Sequence, residues 1–193
     1  MVPKLTDRAV VGSCWIYKIK HVVDGSIEKD KARFVANGFS QKEGIDNDDT
    51  FTIVAKYTSI RVVISLATRM RWQIHQMDVK TVFPNAELEK EVYIEQPGDF
   101  IAHSSKTHVC RLKRALCGLK QAPRVWYERI DRYLQGMGFV KSEANANLFY
   151  LIVGGEMLIL VLYVDDLFLT GSLGLIEECK RDLTSTFEMK DWV

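Results

Sequence analysis

Tyr163-Val164-Asp165-Asp166 stands at the end of Met157–Val164, the longest unbroken apolar run in the chain. Two adjacent carboxylates at the end of such a strand are costly if buried without partners. A water-facing turn tolerates them, and Asp is common in turns, which is the plainer reading of the dipeptide alone. A hard divalent cation is the third solution, because Mg²⁺ takes carboxylate oxygens and keeps waters for phosphate. Asp78 ends a second strand-like stretch, Ile74-His75-Gln76-Met77-Asp78-Val79, and shifts the balance. If the two strands are sheet neighbours, Asp78, Asp165 and Asp166 meet at one edge. Three carboxylates there suit two metal ions about 3.5–4 Å apart, which stabilise the attacking and leaving oxygens of a phosphoryl transfer.

Outward from this stretch, Asn147–Val153 and Met157–Val164 form a hairpin across Gly154-Gly155, and Leu167–Thr170 continues or returns from it. Gly174–Phe187 is amphipathic, with Leu175, Cys179, Leu183 and Phe187 roughly in line. A helix opens near Pro123 and lines up Trp126, Ile130, Tyr133, Leu134 and Met137 before Gly138. Another is capped by Thr58 or Ser59 and runs to about Trp72, with Ile60, Val63, Ile64 and Ala67 on one face. Trp15–Lys20 and Lys31–Ala36 are strands joined by an Asp24-Gly25 turn. Asn37-Gly38 marks a turn and Gly44–Asp49 an acidic loop; Glu91–Gln96 and Val109–Leu112 are short strands. The pattern predicts an α+β fold, an antiparallel sheet with helices packed on one face.

The chain has 193 residues, 47% hydrophobic and 26% charged, which suits a packed domain and excludes a disordered one. Four scattered cysteines and four histidines show no zinc-ligand spacing. No signal-peptide pattern and no membrane-length apolar run occur, so the sequence predicts an intracellular protein with no membrane partner. The net charge of +1 argues against a nucleic-acid partner only until it is divided. Lys106–Lys141 holds nine basic residues against Glu128 and Asp131, a local charge of +7, balanced by an acidic excess elsewhere. Such a segment can follow a phosphate backbone, though for an isolated run a solvated helix face is the favoured reading.

Taken together, the motifs resemble the reverse transcriptase domain of copia-type long-terminal-repeat retrotransposon polyproteins. The matches run in the family's order: Lys31-Ala32-Arg33-Phe34-Val35-Ala36 with Gly38-Phe39, Gly44-Ile45-Asp46 through Thr50-Phe51, Val54-Ala55-Lys56, and His75-Gln76-Met77-Asp78-Val79-Lys80. Glu91-Val92-Tyr93-Ile94-Glu95-Gln96-Pro97, Gly118-Leu119-Lys120-Gln121-Ala122-Pro123-Arg124 with Trp126-Tyr127, the Tyr163–Asp166 stretch and Thr170-Gly171 follow. The resemblance implies a right-hand polymerase: fingers over about 1–72 and part of 85–115, a palm over about 73–84 and 116–193, and no thumb. It implies RNA-directed DNA polymerase activity with two Mg²⁺ ions, Mn²⁺ being a substitute, held by Asp78, Asp165 and Asp166. The partners implied are an RNA or DNA template with its primer and deoxynucleoside triphosphates. Lys31 and Arg33 would hold the triphosphate. Phe83 would lie under the sugar, and Cys117 and Gly118 would border the incoming nucleotide. Lys120, Gln121, Arg124 and Tyr163 would contact nucleic acid. A primer 3′-hydroxyl would attack the α-phosphate with pyrophosphate leaving, a reaction of positioning and electrostatics that needs no side-chain nucleophile.

Several positions depart from the family pattern. Pro84 and Ala86 stand in the stretch after Asp78, Ile53 replaces a usual Pro, and Cys117 replaces a usual Tyr. The chain stops at Val193, where the family continues toward a thumb and ribonuclease H. A fragment with polymerase activity is one expectation; the alternative is a catalytically inactive remnant that at most binds nucleic acid. Oligomeric state and the choice between cytoplasm and nucleus are open at this level.

Overall fold

The structure, a computed structural model, describes residues 1–4, 8–42, 44, 55–83, 88, 90–102 and 107–192. Pro84, Ala86, Ile53 and Val54, most of the acidic loop and Thr50-Phe51 lie outside them. The described strands are β1 (Val2–Pro3), β2 (Val10–Val11), β3 (Ser13–His21), β4 (Ile27–Ala36), β5 (Ile74–Val79), β6 (Tyr93–Ile94), β7 (His108–Arg111), β8 (Val140–Lys141), β9 (Leu148–Val153), β10 (Glu156–Tyr163), β11 (Asp166–Gly171) and β12 (Met189–Asp191). The helices are α1 (Tyr57–Met70), α2 (Ala122–Gly136) and α3 (Leu173–Thr186). No helix among the described residues is long and apolar enough to cross a membrane.

Two compact units form, Met1–Phe51 with Phe83–Val125 and Thr52–Val82 with Trp126–Val193. The first break therefore precedes α1.

The first unit holds a four-stranded sheet in the order β1-β7-β6-β2 and a separate ribbon of β3 and β4. The ribbon turns at Asp24-Gly25, where Gly25 has φ +86°. Asp24 Oδ1 accepts hydrogen bonds from the Ser26 N–H at 2.9 Å and the Ser26 hydroxyl at 2.6 Å. That Asx-type closure lets the return strand begin at Ile27, four residues before the sequence pattern placed it. At the base, the Asn37 N–H donates to the Gly12 carbonyl at 2.8 Å. Asn37-Gly38 leads into a short 3-10 turn, Gly38–Ser40.

The second unit holds one six-stranded antiparallel sheet in the order β12-β5-β11-β10-β9-β8. Gly154 and Gly155, with φ of +60° and +86°, make the two-residue turn between β9 and β10. Positive φ at both central residues is the type I′ geometry that matches strand twist, which is why glycine fills both.

The expectation of helices on one face is corrected here. α1 packs Val63, Ile60 and Leu66 against Ile159, Val161 and Phe168 on one side of the sheet. Leu158, Leu160 and Leu162 alternate with those β10 residues and are fully buried on the other side, together with Met77, Leu167 and Leu169. α3 covers that second side with Ile176, Cys179 and Leu183. α2 lies beside α3, with Tyr133 Oη donating to the Asp182 carbonyl at 2.8 Å and Trp126 and Tyr133 set edge-on to Phe187. The cause is β10 itself: a continuous apolar run is hydrophobic on both faces and must be covered twice. Ile64, placed on the inward face by spacing, is 47% exposed, while Leu66 takes part in the contact.

Candidate active site

The edge of the six-stranded sheet is set by register. Asp166 on β11 lies directly across from Asp78 on β5. The Val79 N–H donates to the Asp165 carbonyl at 2.8 Å, joining the residue after Asp78 to the residue before Asp166. That pattern makes Asp78 and Asp166 a non-hydrogen-bonded pair, the closer of the two antiparallel pair types, with Cα atoms about 4.5 Å apart and side chains on one face. The same row continues to Lys190 on β12, opposite Asp78, and to Tyr163 on β10, opposite Asp166. Asp78 and Asp166 are half-buried, and Asp165 in the adjoining turn is exposed. Gln76, two residues before Asp78 and on the same face, donates its Nε2–H to Asp166 Oδ1 at 3.0 Å.

The turn that carries Asp165 is held against its own preference. Val164 has φ +57°, a left-handed conformation that a β-branched residue adopts only when its surroundings impose it. Trp126, buried on α2, donates its indole N–H to the Val164 carbonyl at 2.9 Å. That bond and the Val79–Asp165 bond tie both turn residues to the sheet and helix.

Like charges directly opposed across strands destabilise a sheet. A half-buried carboxylate pair of this kind is chemically a hard-oxygen donor set suited to a divalent cation. Asp78 and Asp166 are brought together in this way, with Asp165 on the adjacent turn. Among the described residues, however, no three His, Cys, Asp or Glu side chains gather into a ready-made metal cage. The paired carboxylates of Asp78 and Asp166 fit the donor chemistry of Mg²⁺.

In the first unit, Gly118 has φ +92°, and a Cβ there would collide with the Ala36 carbonyl oxygen. A Cβ on Gly38 would in turn collide with the Gly118 carbonyl oxygen. The Ala36 N–H donates to the Cys117 carbonyl at 2.8 Å, so the turn is laced to the end of β4. Gln41, 4% exposed, completes the seat. Its Oε1 accepts from the Lys120 N–H at 2.8 Å and its Nε2–H donates to Gln121 Oε1 at 3.0 Å. Lys120 Nζ reaches the Gln41 carbonyl at 3.4 Å. Lys120 is exposed; Phe83, Cys117, Gln121 and Arg124 are half-buried. Lys31, half-buried, and Arg33, exposed, share one face of the β3–β4 ribbon.

Behind the carboxylate row, on the α3 side, His75 is 5% exposed and neither ring nitrogen has a protein partner. Burial lowers its pKa from the usual 6.5, and the nearby Lys180 charge lowers it further against the opposing pull of Asp191 and Glu177. Lys180, 8% exposed, reaches Asp191 on β12 at 2.8 Å. Burial also pushes the Cys179 thiol up to about 12. Gln41, Gln76, Lys180 and Lys190 were not singled out from sequence. The i−2 spacing of Gln76 from Asp78 on a strand was the one available signal.

Comparison with known proteins shows the family of the chain. A family model described as reverse transcriptase (RNA-dependent DNA polymerase) matches residues 1–193. The chain belongs to this reverse transcriptase family. It is 41% identical over 92% of its length to the retrovirus-related Pol polyprotein from transposon TNT 1-94 of Nicotiana tabacum. It is also 41% identical over 98% of its length to that from transposon RE1 of Arabidopsis thaliana. A more distant relative, the transposon Ty1-DR4 Gag-Pol polyprotein of Saccharomyces cerevisiae, is 28% identical over 86% of the chain. This reverse transcriptase domain spans 14% and 13% of the length of the two plant polyproteins, so it matches a small portion of each.

Proposed function

We propose that this reverse transcriptase domain extends a primer on an RNA or DNA template, with Asp78, Asp165 and Asp166 as its catalytic carboxylates. The observation that carries the reading is the close antiparallel pairing of Asp78 with Asp166 beside the strained Val164–Asp165 turn. Two Mg²⁺ ions, or Mn²⁺ in their place, would supply charge neutralisation at the attacking and leaving oxygens of the phosphoryl transfer. Asp78 and Asp166 hold the fixed part of the ligand set, and Gln76 keeps the Asp166 carboxylate oriented. Trp126 and the Val79–Asp165 bond hold the turn from which Asp165 completes the set.

In this reading the fingers cover about 1–72 and part of 85–115, and the palm about 73–84 and 116–193. Lys31 and Arg33 bind the triphosphate, Arg through its planar fork. Phe83 packs under the sugar, and Cys117 and Gly118 border the nucleotide. Lys120, Gln121, Arg124 and Tyr163 bear on template and primer by shape and backbone. The test is primer extension with Mg²⁺ on a homopolymer template, comparing the wild type with Asp78→Asn and Asp165→Asn. Extension lost in both variants, with melting not lowered, supports the assignment; unchanged extension in both overturns it. Salt-sensitive template binding without extension in the wild type would favour a nucleic-acid-binding domain that has lost catalysis.

A further inference from the structure

The β3–β4 register sorts the ribbon into two unlike faces. Ile16 pairs with Arg33, Lys18 with Lys31 and Lys20 with Lys29. Paired residues and their i±2 neighbours share a face, so Lys18, Lys20, Lys29, Lys31 and Arg33 all project to one side. The opposite side carries Trp15 with Phe34, Tyr17 with Ala32 and Ile19 with Asp30. Every residue paired within the basic rows is a cation or Ile16, so no carboxylate is set opposite them there. Lys18, Lys20, Lys29 and Arg33 are exposed. Among the described residues the ribbon is a two-stranded sheet with no third strand paired to it.

Folding gives no reason for this pattern. Two lysine–lysine pairs set directly opposite each other work against the ribbon, whose ring contacts, Trp15 with Phe34 and with Tyr17, lie on the other face. An extended anion lying along this face would offset that repulsion. From the Lys20–Lys29 row to the Ile16–Arg33 row is four residues, about 13 Å. One strand of a duplex presents about four phosphates over that length of helix axis. The incoming nucleotide, assigned to Lys31 and Arg33 above, leaves Lys18, Lys20 and Lys29 without a role.

We propose that Lys18, Lys20 and Lys29 extend the Lys31–Arg33 site into a track for the phosphodiester backbone of a nucleic-acid strand. The inference rests on the proposed function for the assignment of Lys31 and Arg33, but not on catalysis. The aromatic side chains lie on the other face, so the track reads charge and not base identity. Its binding is therefore salt-dependent and indifferent to sequence.

The test uses the full chain and labelled twenty-nucleotide probes of mixed and homopolymer sequence, read by fluorescence anisotropy across a salt series. RNA, single-stranded DNA and duplex DNA are separate arms, and the arm that carries the effect identifies the strand. The triple variant Lys18→Gln, Lys20→Gln, Lys29→Gln should flatten the slope of log affinity against log salt. The expected change is about 2 to 3, from roughly 0.7–0.9 for each phosphate no longer neutralised. The triple Lys→Arg variant should keep the slope, which separates charge from folding. Inorganic tripolyphosphate binding should survive the Gln triple and fall in Lys31→Gln with Arg33→Gln. An unchanged slope on every probe in the Gln triple, or an equal loss on tripolyphosphate, overturns the proposal. Because the readout is binding, a chain that fails to extend primers can still pass, and one that extends them can still fail.

Discussion

Replacing Asp166 with Asn in the metal-free domain should make it more stable, not less. The native pair places two half-buried carboxylates on one face in the closest antiparallel register. With the charges about 5 Å apart, Coulomb's law gives roughly 0.8 kcal/mol in bulk water and about 3 kcal/mol at a protein-surface dielectric. Cross-strand like-charge pairs fall at the lower end, roughly 0.2–1 kcal/mol. Asn keeps an acceptor for the Gln76 amide, which stands 3.0 Å from Asp166 Oδ1, but a neutral one, so part of the relief is offset. The net expectation is a gain of about 0.5 kcal/mol, a melting shift of about 1–2 °C for a chain of this size. Mg²⁺ at roughly ten times its Kd should stabilise the wild type by about 1.4 kcal/mol. Asp166→Asn should lose most of that gain. The assay is paired thermal melts of the two proteins in chelator and in Mg²⁺. A variant that melts clearly lower in chelator, or that gains as much as the wild type from Mg²⁺, would refute the claim that this pair is a repulsive ligand set.

Three further outcomes follow from the same sheet. Asp191→Ala strands the buried Lys180 ammonium and should cost about 1–3 kcal/mol, less than a fully buried pair because Asp191 is partly exposed, whereas Lys180→Met should be near neutral in urea melts. His75 is held neutral by burial, so below its ordinary 6.5 the unfolded chain takes up a proton that the folded one resists. Stability should therefore be full above about 6.5 and fall as pH drops from there through the lower folded value, and pH-dependent melts of His75→Leu should lose that component. Cys179, with its thiol pushed up to about 12 and buried, should resist a thiol reagent at neutral pH while exposed Cys14 reacts, as peptide mapping after timed labelling will show.

Much of the second unit could be read from local pattern. Gly154-Gly155 between apolar runs specified its hairpin, whereas the pairing of the Asp78 strand with the Asp166 strand was only a condition in the sequence and is supplied by the sheet register. What pattern could not give was the layer arrangement. Met157–Val164 has no alternation, and its continuity was the sign that helices cover both faces, yet periodicity within α1 alone does not say which sheet face it meets. Ile64 illustrates the limit: its i+4 spacing from Ile60 was correct for a helix face, but the contact stripe runs through Leu66 instead. Gln41 and Lys180 were illegible for another reason. A buried polar side chain is explained by partners distant in sequence, here Lys120 with Gln121 and Asp191. Glu91–Gln96 was long enough to be a full strand, but Tyr93–Ile94 alone pairs regularly, because pairing length depends on the neighbours available.

The β3–β4 ribbon is in mechanical terms a cantilever. Its burial is confined to the end near Ala36, where the Cys117 and Gly12 carbonyls hold the strand and its following residue. From Ala36 to Ile27 the arm is about 30 Å long. A rotation of about 10° at the root would sweep the tip through about 5 Å on that length. The two glycines that interlock at the root, Gly38 and Gly118, thus act on the far lysine pairs without touching them. A side chain added at either one would change where the basic face points, and would do so most where the arm is longest.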